Sequence, residues 1–287
     1  MRLEFRKHRI VIGQYWVKSD LSSSLCIRSV ERAPINTVVM SIERGHSGDV
    51  IRLEDLETGD LVFHQPSLCV SMFSQLVSGL SLSTVTHVGV VVVHPPGFEE
   101  SEERFLWHSM QAPLHCHALF PASQGVHIES LQMILSSKEW TGKWWCRPFR
   151  RGSINRKLSE YGRMVGGRSP MPPSPFLPPC TASNPEVKIR HCAVRHLIRK
   201  YSNTKYPIKP MNWLRSIMLL PWGDPHMYHC SSFVVDLFET IGVIQPIHTT
   251  IRNSVTPAAL ANDDGCLTCI NWSEDCRPWD RMLVVES

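Results

Sequence analysis

The sequence predicts an α+β fold, in which an antiparallel sheet from the middle of the chain packs against two helices from its second half. Residues 85–93 are mostly β-branched and lead into Pro95, as expected of a central strand that ends in a loop. Residues 187–201 and 230–241 have the apolar spacing of amphipathic helices. With 43% apolar residues, a chain of 287 residues can build a core of this size.

The predicted domain covers residues 46–287 and follows an N-terminal extension, residues 1–45, that shows no helical or alternating period. Its first element is a turn at residues 56–60, rich in turn-forming residues. Four further segments have strand-like composition: 61–63, 104–109, 126–128 and 144–149. The segment 104–109 is predicted to be the antiparallel return strand after residues 85–93.

Prolines are concentrated between about residues 166 and 186, inside the predicted domain. Proline lacks the backbone donor that helices and central strands require, so this segment predicts a flexible insertion. The first of the two helices follows it. The second helix begins at Cys230 and is predicted to stop at Gly242.

Composition excludes several classes of function. Thirty basic and 26 acidic residues give a formal net charge of +4 without a long run of either sign, so no electrostatic feature indicates nucleic-acid binding. The apolar stretch 85–93 is far shorter than the roughly 20 residues of a membrane-spanning helix. Gly13 and Lys18 interrupt the N-terminal apolar stretch, which is too short for the core of a secretory signal peptide. The ten cysteines are expected to be reduced. We therefore expect a soluble, cytoplasmic protein without a transmembrane segment.

Cys230 is the candidate nucleophile, because it lies at the first turn of a predicted helix. A thiol attacks as thiolate, and the partial positive charge at a helix N-terminus favours that form. The free amides of the same turn can also bind the oxygen of a carbonyl under attack. The alternative is a buried structural cysteine.

His87 is the candidate base, because a histidine at the start of a rigid strand can be held in place by a third polar group. The alternative is a hydrogen-bonded histidine of the core, which is an ordinary role for one of 14 histidines. The pairing with Cys230 is what favours a catalytic role.

Three segments in a fixed order carry a family resemblance: ETGDLVF at residues 57–63, THVGVV at 86–91 and HCSSFV at 229–234. Together they resemble the circularly permuted NlpC-type, papain-like cysteine hydrolases. This family includes YiiX-like bacterial proteins, a poxviral group and, more distantly, the lecithin retinol acyltransferase group. The resemblance spans roughly residues 55–243 without the proline-rich insertion. It implies a papain-like fold in which the histidine strand precedes the nucleophile helix.

The resemblance implies Cys230 as nucleophile, His87 as base and, at about His108, the third polar residue. Many members have Glu at that place, so His108 departs from the pattern. A histidine can accept from the distal nitrogen of His87, but a neutral group stabilises an imidazolium less than a carboxylate does. Glu129 is the alternative orienting residue. No cofactor is implied.

The expected reaction is attack by the Cys230 thiolate on a carbonyl, followed by an acyl-enzyme that water or another acceptor releases. A cysteine peptidase or amidase acting on peptide or isopeptide bonds is the first expectation. An acyltransferase or lipid esterase is the alternative, for which the apolar residues 213–220 are suggestive, although they also fit a core helix. A catalytically inactive binding module is the third possibility.

Two clusters of cysteine and histidine are candidate metal sites. Cys266, Cys269 and Cys276 lack a fourth ligand at standard zinc spacing. Residues 115–117, His-Cys-His, are adjacent and would point to opposite faces of an extended segment. The sequence therefore predicts no metal at either cluster.

Overall fold

The computed structural model describes residues 8–12, 15–19, 30–32, 50–67, 84–111, 125–166, 182–207, 226–261, 270–279 and 282–286. The chain divides into two compact units, Met1–Ile42 and Glu43–Ser287. The first unit contains three antiparallel strands in the order β1-β2-β3: β1 (His8–Ile12), β2 (Tyr15–Ser19) and β3 (Val30–Arg32). No alternating period marks these strands in the sequence.

The second unit is built on one seven-stranded sheet. Its strands are β4 (Val50–Arg52), β5 (Leu61–Pro66), β6 (His87–Val93), β7 (Arg104–Met110), β8 (Gly125–Ser130), β9 (Gly142–Arg147) and β10 (Leu283–Glu286), in the order β4-β10-β9-β5-β6-β7-β8. Five of the six neighbouring pairs are antiparallel, and β4 and β10 are parallel. The expectation of a purely antiparallel sheet was wrong at this edge, because the strand that enters beside β4 comes from the far end of the sequence.

Six α-helices lie in the part of the chain that the structure describes. They are α1 (Leu131–Ser136), α2 (Ser153–Gly166), α3 (Pro185–Tyr201), α4 (Cys230–Thr240), α5 (Thr249–Ser254) and α6 (Pro257–Ala261). The domain is therefore mixed α+β. Helix α3 begins with a proline after Asn184, whose side chain accepts from the Glu186 amide at 2.9 Å. Helices α2 and α3 flank the predicted insertion, of which residues 167–181 lie outside the described residues.

The two faces of the sheet pack against different elements. Leu106 and Trp107 are neighbours on β7 and therefore point to opposite faces. Leu106 joins an apolar cluster with α1 and with Trp144 of β9. On the other face the Trp107 ring lies 5.7 Å from that of Phe233, centroid to centroid, so α4 packs there. Within the described ranges, no helix combines the length and apolar composition that crossing a membrane requires.

The turn before β5 depends on Gly59, whose φ of +103° lies where L side chains are strained. A Cβ on Gly59 would lie 2.4 Å from Cγ1 of Ile154 on α2. The next residue, Asp60, accepts from the amides of Glu57 at 2.8 Å and Phe149 at 2.9 Å. This turn thus joins β5 to α2 and to the chain after β9.

We expect Gly59→Ala to lower the free energy of unfolding by about 3 kcal/mol, because backbone strain and overlap with Ile154 add. Gly242→Ala is the matched control, since φ is +76° there and no atom lies within 4 Å of the added Cβ. The control should lose about 1 kcal/mol from the backbone alone. Urea denaturation of both variants measures the difference, and equal losses would contradict a close contact at Ile154.

Candidate active site

Cys230 is the first residue of α4, and His229 caps this helix. The His229 Nδ1 accepts from the Ser232 amide at 3.2 Å, and its Nε2 donates to the Asn253 carbonyl at 2.8 Å. These bonds require a neutral ring with the proton on Nε2. Burial, opposed by the bond to Asn253, lowers the pKa of His229 to about 4. The amino end of α4 is therefore held by a neutral histidine cap.

The Cys230 sulfur is buried against the backbone on both sides of His87. The thiol lies 4.0 Å from the Thr86 carbonyl oxygen, to which it donates. Burial raises the pKa of Cys230 to about 11, while backbone hydrogen bonds, foremost that of the Val88 amide, oppose this shift. Cys230 is consequently a protonated thiol at neutral pH.

His87 begins β6 and is bonded to His108 on β7. The His87 Nε2 lies 2.9 Å from the His108 Nδ1, and the two rings meet edge to face. Burial lowers the pKa of His87 to about 3, with smaller contributions from His64 and His127. His87 is therefore neutral at pH 7. The nitrogen not used in the bond to His108 is Nδ1.

The Cys230 thiol contacts the carbonyl of Thr86, the residue before His87, while the hydrogen bond of the His87 ring goes to His108. The His87 ring contacts His108, which lies on the sheet face opposite to Trp107 and hence opposite to α4. The sulfur reaches His87 at the backbone of β6 rather than across a common face. The structure thus places the Cys230 sulfur of α4 against the backbone at the start of β6, and no hydrogen bond joins it to the His87 ring among the described residues.

Beyond His108 the buried polar chain continues onto β8. His108 Nε2 lies 3.8 Å from Glu129 Oε2, and His127 Nε2 lies 3.4 Å from Glu129 Oε1. His127 pairs directly with His108 in the strand register. Glu129, the alternative orienting residue, therefore lies beside His108 on the side away from His87, and His108 itself is bonded to His87. His127 was missed from the sequence, although alternation along residues 126–130 puts it on the same face as Glu129.

Two tryptophan rings pack against His64 and His87. Trp140 lies with its ring 4.9 Å from that of His87 and 5.0 Å from that of His64, and Trp144 lies 4.6 Å from His64. Burial lowers the pKa of His64 to about 4, opposed by backbone bonds at Thr141 and Trp140. These rings exclude water, which explains why burial dominates each shift.

Tyr206 is a second residue that the sequence did not single out. Burial raises the pKa of its phenol well above the ordinary value, and the nearby Cys230 raises it further. The phenol is therefore protonated near the thiol, where it can donate a hydrogen bond.

Several predicted features lie outside the described residues: the apolar stretch 213–220, the cluster 115–117, Cys266 and Cys269. Cys276 is described, and its buried sulfur lies 3.7 Å from the Ser153 carbonyl oxygen. The acyl-chain alternative and the two clusters therefore stay predictions. Scans against protein-family models and against curated proteins give no match to this chain.

Proposed function

We propose that this protein is a thiol-dependent hydrolase of the permuted papain-like, NlpC-type fold. Cys230 would form an acyl-enzyme with peptide, amide or isopeptide substrates, and His87 would act as general base. One observation carries the proposal: His87 is bonded to His108 at 2.9 Å, next to the strand backbone that holds the Cys230 sulfur at a helix N-terminus. A nucleophile, a base and an orienting group require this order.

The charge states favour general-base catalysis over a preformed thiolate. Both the Cys230 thiol and the His87 ring are neutral at pH 7. In the proposed step the thiol turns from the Thr86 carbonyl towards His87 Nδ1, which takes the proton as sulfur attacks the substrate carbonyl. Catalytic hydrogen bonds often form only with substrate bound. The amides of Cys230 and Ser231, at the start of α4, would bind the oxyanion.

The orienting role is shared in the proposed mechanism. When His87 gains a proton, its Nε2 donates to His108 Nδ1, so His108 carries its own proton on Nε2, facing Glu129. The Glu129 carboxylate then supplies the negative charge that a neutral His108 lacks. Collapse of the intermediate returns the proton to the leaving amine, and water releases the acyl group.

Compartment and substrate are part of the same proposal. Cys146 and Cys276 are buried free thiols, which fits a reducing, cytoplasmic compartment. The substrate would be a peptide or an acyl lipid, with peptide amides tested first. No step uses a cofactor.

We expect iodoacetamide alkylation of Cys230 at pH 7 to require His87, with Cys192, a partly exposed thiol in the same chain, as the reference. In His87→Ala protein the Cys230 rate should fall by at least about 100-fold, because the base that takes its proton is gone. Peptide-level mass spectrometry measures both rates in one digest. The Cys192 rate is the internal control and should not change.

The burial of Cys230 favours one other candidate function, a catalytically inactive binding module. The thiol is 2% exposed, its pKa is raised to about 11, and it is bonded to a backbone carbonyl. A structural cysteine has these properties. If His87→Ala leaves the alkylation rate of Cys230 unchanged, the hydrolase proposal fails and the binding module replaces it.

A further inference from the structure

The facing positions of β7 and β8 bring three metal-ligating side chains together on one face of the sheet. His108 pairs in register with His127, and Glu129 follows two residues later on the same side of β8. One ligand atom from each side chain can be chosen so that all three lie within 4.8 Å of one another. All three side chains are buried.

Two of these side chains present buried imidazole nitrogens without a hydrogen-bond partner among the described residues. They are Nε2 of His108 and Nε2 of His127. His127 Nε2 lies 3.4 Å from one oxygen of Glu129 and His108 Nε2 lies 3.8 Å from the other. Buried polar atoms are normally paired, so nitrogens aimed at a common carboxylate indicate an additional ligand between them.

We propose that His108, His127 and Glu129 bind a divalent metal ion of the zinc class. Zinc bonds to nitrogen and oxygen at roughly 2.0–2.2 Å, so tetrahedral ligand atoms are separated by about 3.4 Å. The separation of 3.4 Å between His127 Nε2 and Glu129 Oε1 agrees with this spacing, and His108 Nε2 lies 3.8 Å from the other oxygen of Glu129. Two imidazoles and one carboxylate suit Zn²⁺ and its substitute Co²⁺, whereas Mg²⁺ and Ca²⁺ prefer oxygen ligands.

The hydrogen bond between His108 and His87 suits coordination through Nε2 of His108. The remaining nitrogen of a ligating histidine usually donates to a neighbouring acceptor. Here the remaining nitrogen of His108 is Nδ1, which faces His87.

A metal ion at this site would reverse the direction of the hydrogen bond between His108 and His87, and so would change which nitrogen of His87 carries the proton. The consequence for Cys230 rests on the proposed function. With metal on Nε2, His108 must carry its proton on Nδ1 and donate to His87 Nε2. The neutral His87 then carries its own proton on Nδ1 and has no lone pair to receive one from the thiol. The metal-loaded protein is therefore the form without a base.

Co²⁺ binding to the purified full chain tests the site. We expect one tightly bound Co²⁺ that Zn²⁺ displaces, with the visible absorption of a tetrahedral site and no thiolate charge-transfer band. His127→Gln and Glu129→Gln should each weaken Co²⁺ binding at least about 100-fold, since each removes a ligand. His64→Gln is the matched control, because it removes an equally buried imidazole with an unpartnered Nε2 outside the ligand set.

X-ray absorption at the cobalt edge of the wild-type protein counts the imidazole ligands without any substitution, so the test stands even if the variants do not fold. Two imidazoles support the site. The site is overturned by a thiolate band, by the absence of tight Co²⁺ binding, by fewer than two imidazoles, or by folded His127→Gln and Glu129→Gln variants that bind as wild type does.

The reactivity of Cys230 separates this inference from the proposed function. Zn²⁺ should slow Cys230 alkylation in the wild type and in His64→Gln but not in His127→Gln. Slowing that persists in His127→Gln would mean that Zn²⁺ binds the thiol itself, and would overturn the reversed direction of the hydrogen bond. If Cys230 of the metal-free protein is unreactive, the hydrolase proposal fails while the Co²⁺ result still decides the metal site.

Discussion

At pH 5.5 we expect the free energy of unfolding to be about 4 kcal/mol lower than at pH 7. Four buried histidines are the main source of this loss: His64, His87, His127 and His229, with pKa values of about 4, 3, 4 and 4 against an ordinary 6.5. Burial also lowers the pKa of His108, which acts in the same direction. Between pH 6.5 and about 4 the unfolded chain binds more protons than the native one. Stability is therefore full above pH 6.5 and falls as the pH falls through this window, and the four histidines together lose about 5 kcal/mol between pH 7 and pH 5.5.

Two carboxyl groups act against this loss. Burial raises the pKa of Asp60 to about 6, opposed by backbone bonds, so below pH 6 the native state gains a proton there and about 1 kcal/mol is returned. Glu129 faces His108 and His127 and would pair with either ring once it is protonated. Urea denaturation monitored by tryptophan fluorescence at both pH values measures the net effect.

The single variant His64→Gln provides the control for the acid prediction. It should unfold with a pH dependence reduced by about 1 kcal/mol, since one histidine no longer titrates. A wild-type stability that is equal or higher at pH 5.5 would show that the buried imidazoles are not held neutral. That result would also remove the charge states from the proposed mechanism.

We expect Asp236→Ala to lower the free energy of unfolding by about 3–5 kcal/mol, because it breaks a largely buried ion network. Asp236 lies in the middle of α4 and accepts from Lys200 Nζ at 2.8 Å and from the Tyr201 hydroxyl at 2.6 Å, both on α3. Its other oxygen pairs with Arg252 of α5, which also reaches Glu239 at 2.8 Å. Removing the carboxylate strips these three donors of their shared acceptor.

Two other variants calibrate the Asp236 result. Tyr201→Phe removes a single hydrogen bond and should cost about 1 kcal/mol. Glu186→Gln breaks the exposed pair with Arg163 and should leave the free energy of unfolding almost unchanged, because solvent screens an exposed ion pair. Chemical denaturation of all three variants gives the ranking, and an Asp236→Ala loss as small as that of Glu186→Gln would contradict a cooperative network.

Much of the central fold could be predicted because its segments are long and distinctly patterned. The β-branched run became β6, and its return strand at residues 104–109 became β7. The helix expected at 187–201 became α3, and the helix from Cys230 ends before Gly242, which has the positive φ of a helix stop. Apolar periodicity and terminating residues such as glycine and proline suffice to predict an element whose structure is determined by its own segment.

The elements that were missed depend on contacts distant in sequence. Strands β4 and β10 have three and four residues, too short to show a period, and they form only by pairing with each other and with β9. Helix α2 was not predicted, although its buried Ile154, Leu158 and Tyr161 have the spacing of one helix face, because they are few among the polar residues of Ser153–Gly166. Propensity is weak evidence in segments of this kind.

Only part of the candidate site could be predicted from the sequence, for a related reason. Cys230 and His87 could be named from helix start and strand start, and His108 from its place on the next strand. The line from His108 to Glu129 and His127 requires the register of β7 with β8, which the loop between them leaves open in the sequence. Likewise, only the three-dimensional packing shows that the Cys230 sulfur rests on the β6 backbone rather than on the His87 ring.

The parallel pairing of β10 with β4 has a consequence for the order of folding. Val284 and Val285 lie beside Val50 and Ile51, so the first and last strands of the second unit meet at one edge of the sheet. Closing so long a loop costs entropy before any contact repays it. During synthesis β4 must wait, without a neighbour, until the rest of the unit has been made. We therefore expect amide hydrogen exchange in β4 to become protected last, together with β10 and well after the β5–β8 core.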